Sequence, residues 1–255
     1  QSRRRVSEPI RFFLICRSTA NSIITNSRKS ITEKKKNMER IIKYDRSVVV
    51  ACDVKTIEEF ERLVELTRDV NKIGGYKVGS ILVVCYGLPK LVRMARKFTD
   101  LPIIYDHQKA MTDIHDLGKD FVTVVKGAGA SALIGFHQSG PVTEEAWIKA
   151  CKDIGLEVII GGEMTHPKYI TSEGGYIADQ SLDEMYLLGA RLGVNNFVVP
   201  GNKVERVLHY KSILQPIVGQ SLCFYAPGFV TQGGVITDVA RAAGNSWHAI
   251  VGRAI

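Results

Sequence analysis

"SVVVACDVKTIEEFERLVELTRDVNKIGGYKVG", residues 47–79, joins two short apolar runs through a longer segment of a different period. The β-branched run 47–52 is continuously apolar, which predicts a strand covered on both faces. Residues 56–70 repeat apolar positions every three to four places, the period of an amphipathic helix, with Thr56 placed to cap its start. Residues 75–79 then supply a second strand. A strand, a helix and a strand in this order predict parallel pairing.

The unit recurs along the chain. "LPIIY" (101–105), "SALIGF" (131–136), "LEVIIG" (156–161), "NNFVVP" (195–200), "SLCFYAP" (221–227) and "WHAIVG" (247–252) bring the apolar runs to eight, with helix-like stretches such as 142–154, 179–193 and 202–213 between them. Eight units in about 210 residues predict an α/β fold of the (β/α)8 TIM-barrel type rather than an open doubly wound sheet. The sequence stops at Ile255, directly after the eighth run, so the final covering helix is expected to be missing or reduced. The N-terminal extension is one candidate to cover that flank.

The formal charge of +8 first suggests a polyanionic partner, but its distribution argues otherwise. Residues 1–37 carry ten basic side chains against Glu8 and Glu33, which accounts for the whole excess; residues 38–255 hold 24 basic and 24 acidic residues. The expected organisation is a basic extension, 1–37, followed by a barrel domain, 38–255. The neutral body gives no reason to expect a nucleic acid, and no apolar run approaches the roughly 18 residues of a membrane span. Five scattered cysteines without CxxC or metal-ligand spacing predict a reduced, cytoplasmic protein. The extension is rich in Arg and Ser and poor in acids, so an organellar transit peptide is the alternative; Met38 stands at a natural start before the first strand.

In barrels of this type the chemistry sits at the carboxyl ends of the strands. Asp53 follows the first run, Lys77 lies in the second, Asp106 and Lys109 close the third, and Thr165 follows the fifth; "PGFVTQGG" (227–234) follows the seventh and Gly252-Arg253 the eighth. Alternating acids and lysines can hold one another charged in a partly dry cleft, at roughly 4 kcal/mol per contact pair for an effective dielectric near 20. An ordinary salt-bridge cluster at a strand end is the plain alternative. Glycine-rich turns after the last two strands expose backbone N–H groups suited to phosphate, and Arg253 adds a planar, permanently charged fork. Together they point to a phosphorylated ligand.

Over nearly the whole of 46–255 the chain resembles the orotidine 5′-monophosphate decarboxylase family. The resemblance is carried by "VVVACD", "YKVG", "YDHQKAMTDI" (105–114), "GASALIGF", "GEMTHP", "GARLGVNNFVVPGNKVERV", "APGFVTQGG" and "IVGRAI". It implies a homodimeric barrel without cofactor or metal that converts orotidine monophosphate to uridine monophosphate and carbon dioxide. It further implies that Lys77, Asp106, Lys109 and Asp113 form a charge network, with Asp113 and Ile114 reaching across the dimer interface. Asp53 would bind the ribose and Thr165, where the family usually has Ser, the pyrimidine amide. Pro227 and Gly228 would lie over the ring, while Gln232, the backbone of Gly233 and Gly234, Gly252 and Arg253 would hold the phosphate. Lys109 is expected to stabilise and protonate the ring carbanion, and Asp106 to crowd the departing carboxylate.

The chain departs from the family pattern Asp-x-Lys-x-x-Asp-Ile-Pro, since it reads Asp106-x-x-Lys109-x-x-x-Asp113-Ile114-His115. Residues three apart on a strand do not share a face, so Lys109 joins Asp106 only where the chain bulges or has already left the strand, and a bulge at His107 or Gln108 is expected. Asp113 is expected to open the third helix, where an acid also suits the amino end as a cap. Magnesium-dependent sugar-phosphate decarboxylases and hexulose-phosphate synthases of the same barrel group are weighed against this reading; they usually carry an acid where Lys77 stands. His166 reads as a loop hydrogen-bonder rather than a metal ligand. A non-catalytic relative that only binds a phosphorylated ligand is the reading from a different class.

Overall fold

The computed structural model describes residues 40–108, 110–229, 232–253 and 255. Eight parallel strands, β1 (Arg46–Cys52), β2 (Ile73–Gly79), β3 (Ile103–Asp106), β4 (Ala132–Phe136), β5 (Glu157–Gly161), β6 (Asn196–Val198), β7 (Cys223–Ala226) and β8 (Trp247–Val251), pair in sequential order. β8 pairs back onto β1, so the barrel is closed. The connections carry α1 (Ile57–Thr67), α2 (Ser80–Tyr86), α3 (Leu88–Ala95), α4 (Gly118–Gly127), α5 (Pro141–Asp153), α6 (Asp179–Arg191), α7 (Val204–Val218) and α8 (Ile236–Ala243). The barrel unit runs from Ile41 to Ile255. The basic extension expected at 1–37 lies outside the described residues.

Strand side chains alternate between two buried faces, which explains why the runs read as continuously apolar. Val49, Ala51, Ile104, Ile134, Ile159, Val198, Tyr225 and Ile250 form the inner cluster. The opposite parity, including Val50, Cys52, Tyr76, Val78, Leu133 and Phe224, packs beneath the helices. Local signals agree with this arrangement. Thr56 caps α1 as expected, its Oγ1 accepting from Glu59 N–H at 3.2 Å while Glu59 Oε2 accepts from Thr56 N–H at 3.1 Å. The fourth helix-like stretch, expected to end at 213, runs on through Pro216 to Val218.

Two expectations are corrected around β3. No bulge occurs at His107 or Gln108: the strand ends at Asp106, and the chain leaves it through a tight turn in which Ala110 N–H donates to His107 O at 2.7 Å. Lys109 lies outside the described residues. Nor does Asp113 cap α4. A short 3-10 turn, His115–Leu117, precedes that helix with Ile114 at its N-cap position, and the Asp113 carboxylate accepts instead from Ile114 N–H at 2.7 Å.

Candidate active site

Parallel pairing sets Lys77 of β2 beside β3, with Gly79 opposite Asp106, so both side chains emerge at the same rim. Lys77 Nζ donates to Asp106 Oδ2 at 2.8 Å and to Asp53 Oδ1 at 3.2 Å. Burial alone would pull the lysine down, but Asp106 and then Asp53 outweigh it and hold its pKa above the ordinary value. The ammonium is thus a fixed charge. Among the described residues Asp106 Oδ1 is buried without a hydrogen-bond partner, while Oδ2 of the same carboxylate accepts from Lys77.

A cavity of about 300 Å³ opens over this triad at the carboxyl ends of the strands. Asp53, Lys77, Asp106 and Thr165 line it from β1, β2, β3 and β5. Pro227, Gly228, Gln232, Gly252 and Arg253 close the side after β7 and β8. Asp113, Ile114, Gly233 and Gly234 are not among its lining residues. A second void of about 250 Å³ shares Asp53, Lys77, Asp106 and Gln108 and extends over the start of α2, so the charged triad forms the wall between two adjoining spaces.

The glycines on the phosphate-suited side are required by close approach. Gly228 has φ +104°, and a Cβ there would lie 3.1 Å from both Gln232 Oε1 and Thr165 Cγ2. Gly234 donates its N–H to Gly228 O at 3.1 Å, folding the loop back on itself, and Gly201 N–H donates to Pro227 O at 2.8 Å, tying it to the loop after β6. Asn202 Nδ2 then donates to Thr165 O at 2.9 Å. These bonds stitch three loops together on one side of the cavity.

Sequence reasoning missed the anchor beneath them. Glu163, whose side chain is fully buried, accepts from Arg206 Nε at 2.6 Å, from Lys203 Nζ at 3.1 Å and from Tyr210 OH at 2.6 Å. Lys203 also reaches Glu173, so two cations meet two carboxylates. The arrangement satisfies a charge that could not otherwise be buried. Lys203 and Arg206 stand three apart at the head of α7, a helix-face spacing in "GNKVERV" that was the available signal. His166 lines the cavity with its Nδ1 3.0 Å from Pro167 O, a loop contact as expected.

A closed parallel barrel with a buried lysine held between carboxylates at its catalytic rim defines a (β/α)8-barrel enzyme, and comparison with known proteins specifies which. No protein-family model matches the chain. It is 32% identical over 210 residues to orotidine 5′-phosphate decarboxylase of Methanosarcina barkeri, covering 82% of this chain and 86% of that one. The Methanosarcina mazei enzyme of the same name is 29% identical over 208 residues, with the same coverage. Among solved structures, orotidine 5′-monophosphate decarboxylase from Methanocaldococcus jannaschii in complex with the inhibitor BMP superposes with a TM-score of 0.71 at 25% identity, covering 82% of this chain and 90% of that one. The Pyrococcus horikoshii enzyme gives 0.67 at 27% identity, with the same coverage. The chain belongs to the orotidine 5′-phosphate decarboxylase family and is a carbon–carbon lyase.

Proposed function

We propose that this chain converts orotidine 5′-monophosphate to uridine 5′-monophosphate and carbon dioxide through a network of Lys77, Asp106, Lys109 and Asp113. The observation that carries the reading is the Lys77–Asp106 pair at 2.8 Å, with Asp106 Oδ1 buried on the cavity wall and unpaired among the described residues. Loss of carbon dioxide from the pyrimidine ring leaves an electron pair with no neighbouring sink, so the site needs a positive charge and a proton donor beside that carbon. Lys109, three residues beyond Asp106, supplies both in this reading. The substrate carboxylate, seated against Asp106 Oδ1, is repelled in the ground state and relieved as it departs.

The rest of the cavity suits the remainder of a nucleotide. Asp53, more than half exposed, is available to ribose hydroxyls while it still holds Lys77. Thr165 keeps the hydroxyl needed for the pyrimidine amide. Gln232, Gly252 and Arg253, which line the cavity, take the phosphate close to where α8 begins at Ile236, while Gly234, whose N–H is held by Gly228 O, shapes the loop beside them. Grip on that distant group supplies binding energy that is expressed at the reacting carbon. Asp113 and Ile114 lie exposed and away from the cavity, which suits their expected role in a second copy's site within a homodimer. Among the described residues no helix is long and apolar enough to cross a membrane. The neutral body and the scattered cysteines without CxxC spacing favour the cytoplasm.

The test is to follow the loss of orotidine monophosphate absorbance with the wild type and with Lys109→Ala. Rapid turnover abolished by the substitution supports the reading. An inactive wild type, or an alanine variant that matches it, overturns it.

A further inference from the structure

The segment that follows β3 is anchored at several described residues, and the last of these, Asp113 and Ile114, do not line the chain's own cavity. His107 Nδ1 lies 2.8 Å from Tyr105 OH, and its ring begins a file that continues to Phe121 of α4 at 5.1 Å and from there to Trp147 of α5 at 5.2 Å. Ala110 O accepts from Phe136 N–H at 2.9 Å, stitching the turn to the end of β4. Met111 sits in the left-handed region at φ +67°, which side chains seldom adopt, and is fully buried against Gly135. Only then does the chain reach Asp113 and Ile114.

Two side chains one helical turn apart on α5 hold the main chain of those residues. Thr143 Oγ1 donates to Asp113 O at 3.1 Å, and Trp147 Nε1 donates to Ile114 O at 3.2 Å. The indole is buried, and Gly118 lies so close that a Cβ there would be 2.7 Å from Trp147 Cδ1. The Asp113 carboxylate folds onto the next N–H at 2.7 Å, which fixes its rotamer as well. The outcome is a charged group at the surface, oriented at main chain and side chain, with Ile114 and Leu117 exposed beside it. Rigid presentation of a carboxylate to bulk water gains nothing; presentation to another surface gains much, because ordering before association lowers its cost.

We propose that Thr143 and Trp147 are positioning residues that orient Asp113 for the active site of a second copy of this chain. The inference rests on the reading of Asp113 given under the proposed function. It makes a claim that an ordinary packing role does not: a lesion at Thr143 damages the pocket of the partner and spares the pocket of the chain that carries it.

The experiment uses full-length chains carrying two different tags, co-expressed and purified as heterodimers, with orotidine monophosphate turnover as readout. Pairing wild type with Lys109→Ala leaves one working pocket and sets the reference. Pairing wild type with a Lys109→Ala/Thr143→Val chain keeps the same pocket but feeds it Asp113 from the altered loop. We expect turnover about fivefold lower, the effect of one lost hydrogen bond, and recovery when Ser replaces Val at 143. The reverse pair, Lys109→Ala with Thr143→Val, places the intact Asp113 in the working pocket and is expected to match the reference. A Trp147→Phe chain, which keeps a ring but no N–H, should repeat the pattern. If the defect follows the pocket of the substituted chain, or no pair differs from the reference, the positioning role is overturned. A control pair of wild type with Lys109→Ala/Asp113→Ala separates the two claims. Loss there without loss from Thr143→Val overturns positioning alone, whereas no loss there removes the shared-site reading and the positioning role with it.

Discussion

The Lys77 ammonium lies 2.8 Å from the Asp106 carboxylate, and neither side chain is more than 13% exposed. Removing Lys77 leaves the largely buried Asp106 carboxylate without the cation that holds it. Lys77→Met is therefore expected to destabilise the barrel by about 3 kcal/mol and to abolish turnover, with Asp106→Asn added to it restoring stability but not activity. Urea unfolding of the single and double variants, beside turnover, checks this; equal stability of both variants contradicts the pairing.

Glu163 is held by Lys203, Arg206 and Tyr210 under the loop that carries Thr165. Glu163→Gln keeps the shape but removes the carboxylate that holds Arg206 and one of the two that hold Lys203. A loss of about 3 kcal/mol is expected, together with a raised KM, because Thr165 loses its base. Steady-state kinetics with the pyrimidine nucleotide would count against the account if KM were unchanged while stability fell.

A second buried pair governs pH dependence. His137 Nδ1 and Glu144 Oε1 lie 3.3 Å apart without hydrogen-bond geometry, between β4 and α5. Burial pushes the Glu144 carboxyl from 4.5 up to about 8 and the His137 imidazole from 6.5 down to about 3, so both are neutral near pH 7. The folded protein keeps a Glu144 proton that the unfolded chain releases, so that stability is complete below about 4.5 and is lost as pH rises to about 8. The histidine acts in the other direction: its contribution is present above about 6.5 and fades as pH falls toward 3. Glu144→Gln should remove the decline between pH 5 and 8. Unfolding midpoints that fall equally in wild type and variant over that range would exclude it.

Gly118 opens α4, where Ala would ordinarily gain about 1 kcal/mol in helix propensity. The Trp147 indole occupies the space, at 2.7 to 2.9 Å from the added Cβ. Overpacking costs about 1 to 3 kcal/mol and outweighs the gain, so Gly118→Ala is expected to lower the melting temperature. A raised melting temperature would show that the indole yields freely and anchors nothing.

All eight strands were legible in the sequence because each is a short apolar run, most of them β-branched, buried on two faces, and the residues at their carboxyl ends could be placed on one rim from order alone. The exit from β3 was not. A three-residue spacing between Asp106 and Lys109 fits a bulge and a strand end equally well, and what selects the turn is Phe136 N–H pairing with Ala110 O, a contact across 26 residues of sequence. Glu163 was hidden for a similar reason: an acid after an apolar run reads as solvated, and its partners arrive from α7 some 40 to 47 residues later. Thr143 and Trp147 read as ordinary positions of an amphipathic helix until their bonds to the Asp113 and Ile114 carbonyls are seen.

Orotidine monophosphate labelled at its carboxyl carbon tests the central claim most directly. The wild type is expected to release one labelled carbon dioxide for each uridine monophosphate formed, and Lys109→Ala to release none while still binding the product nucleotide. A wild type that binds uridine monophosphate yet releases no label would contradict the account.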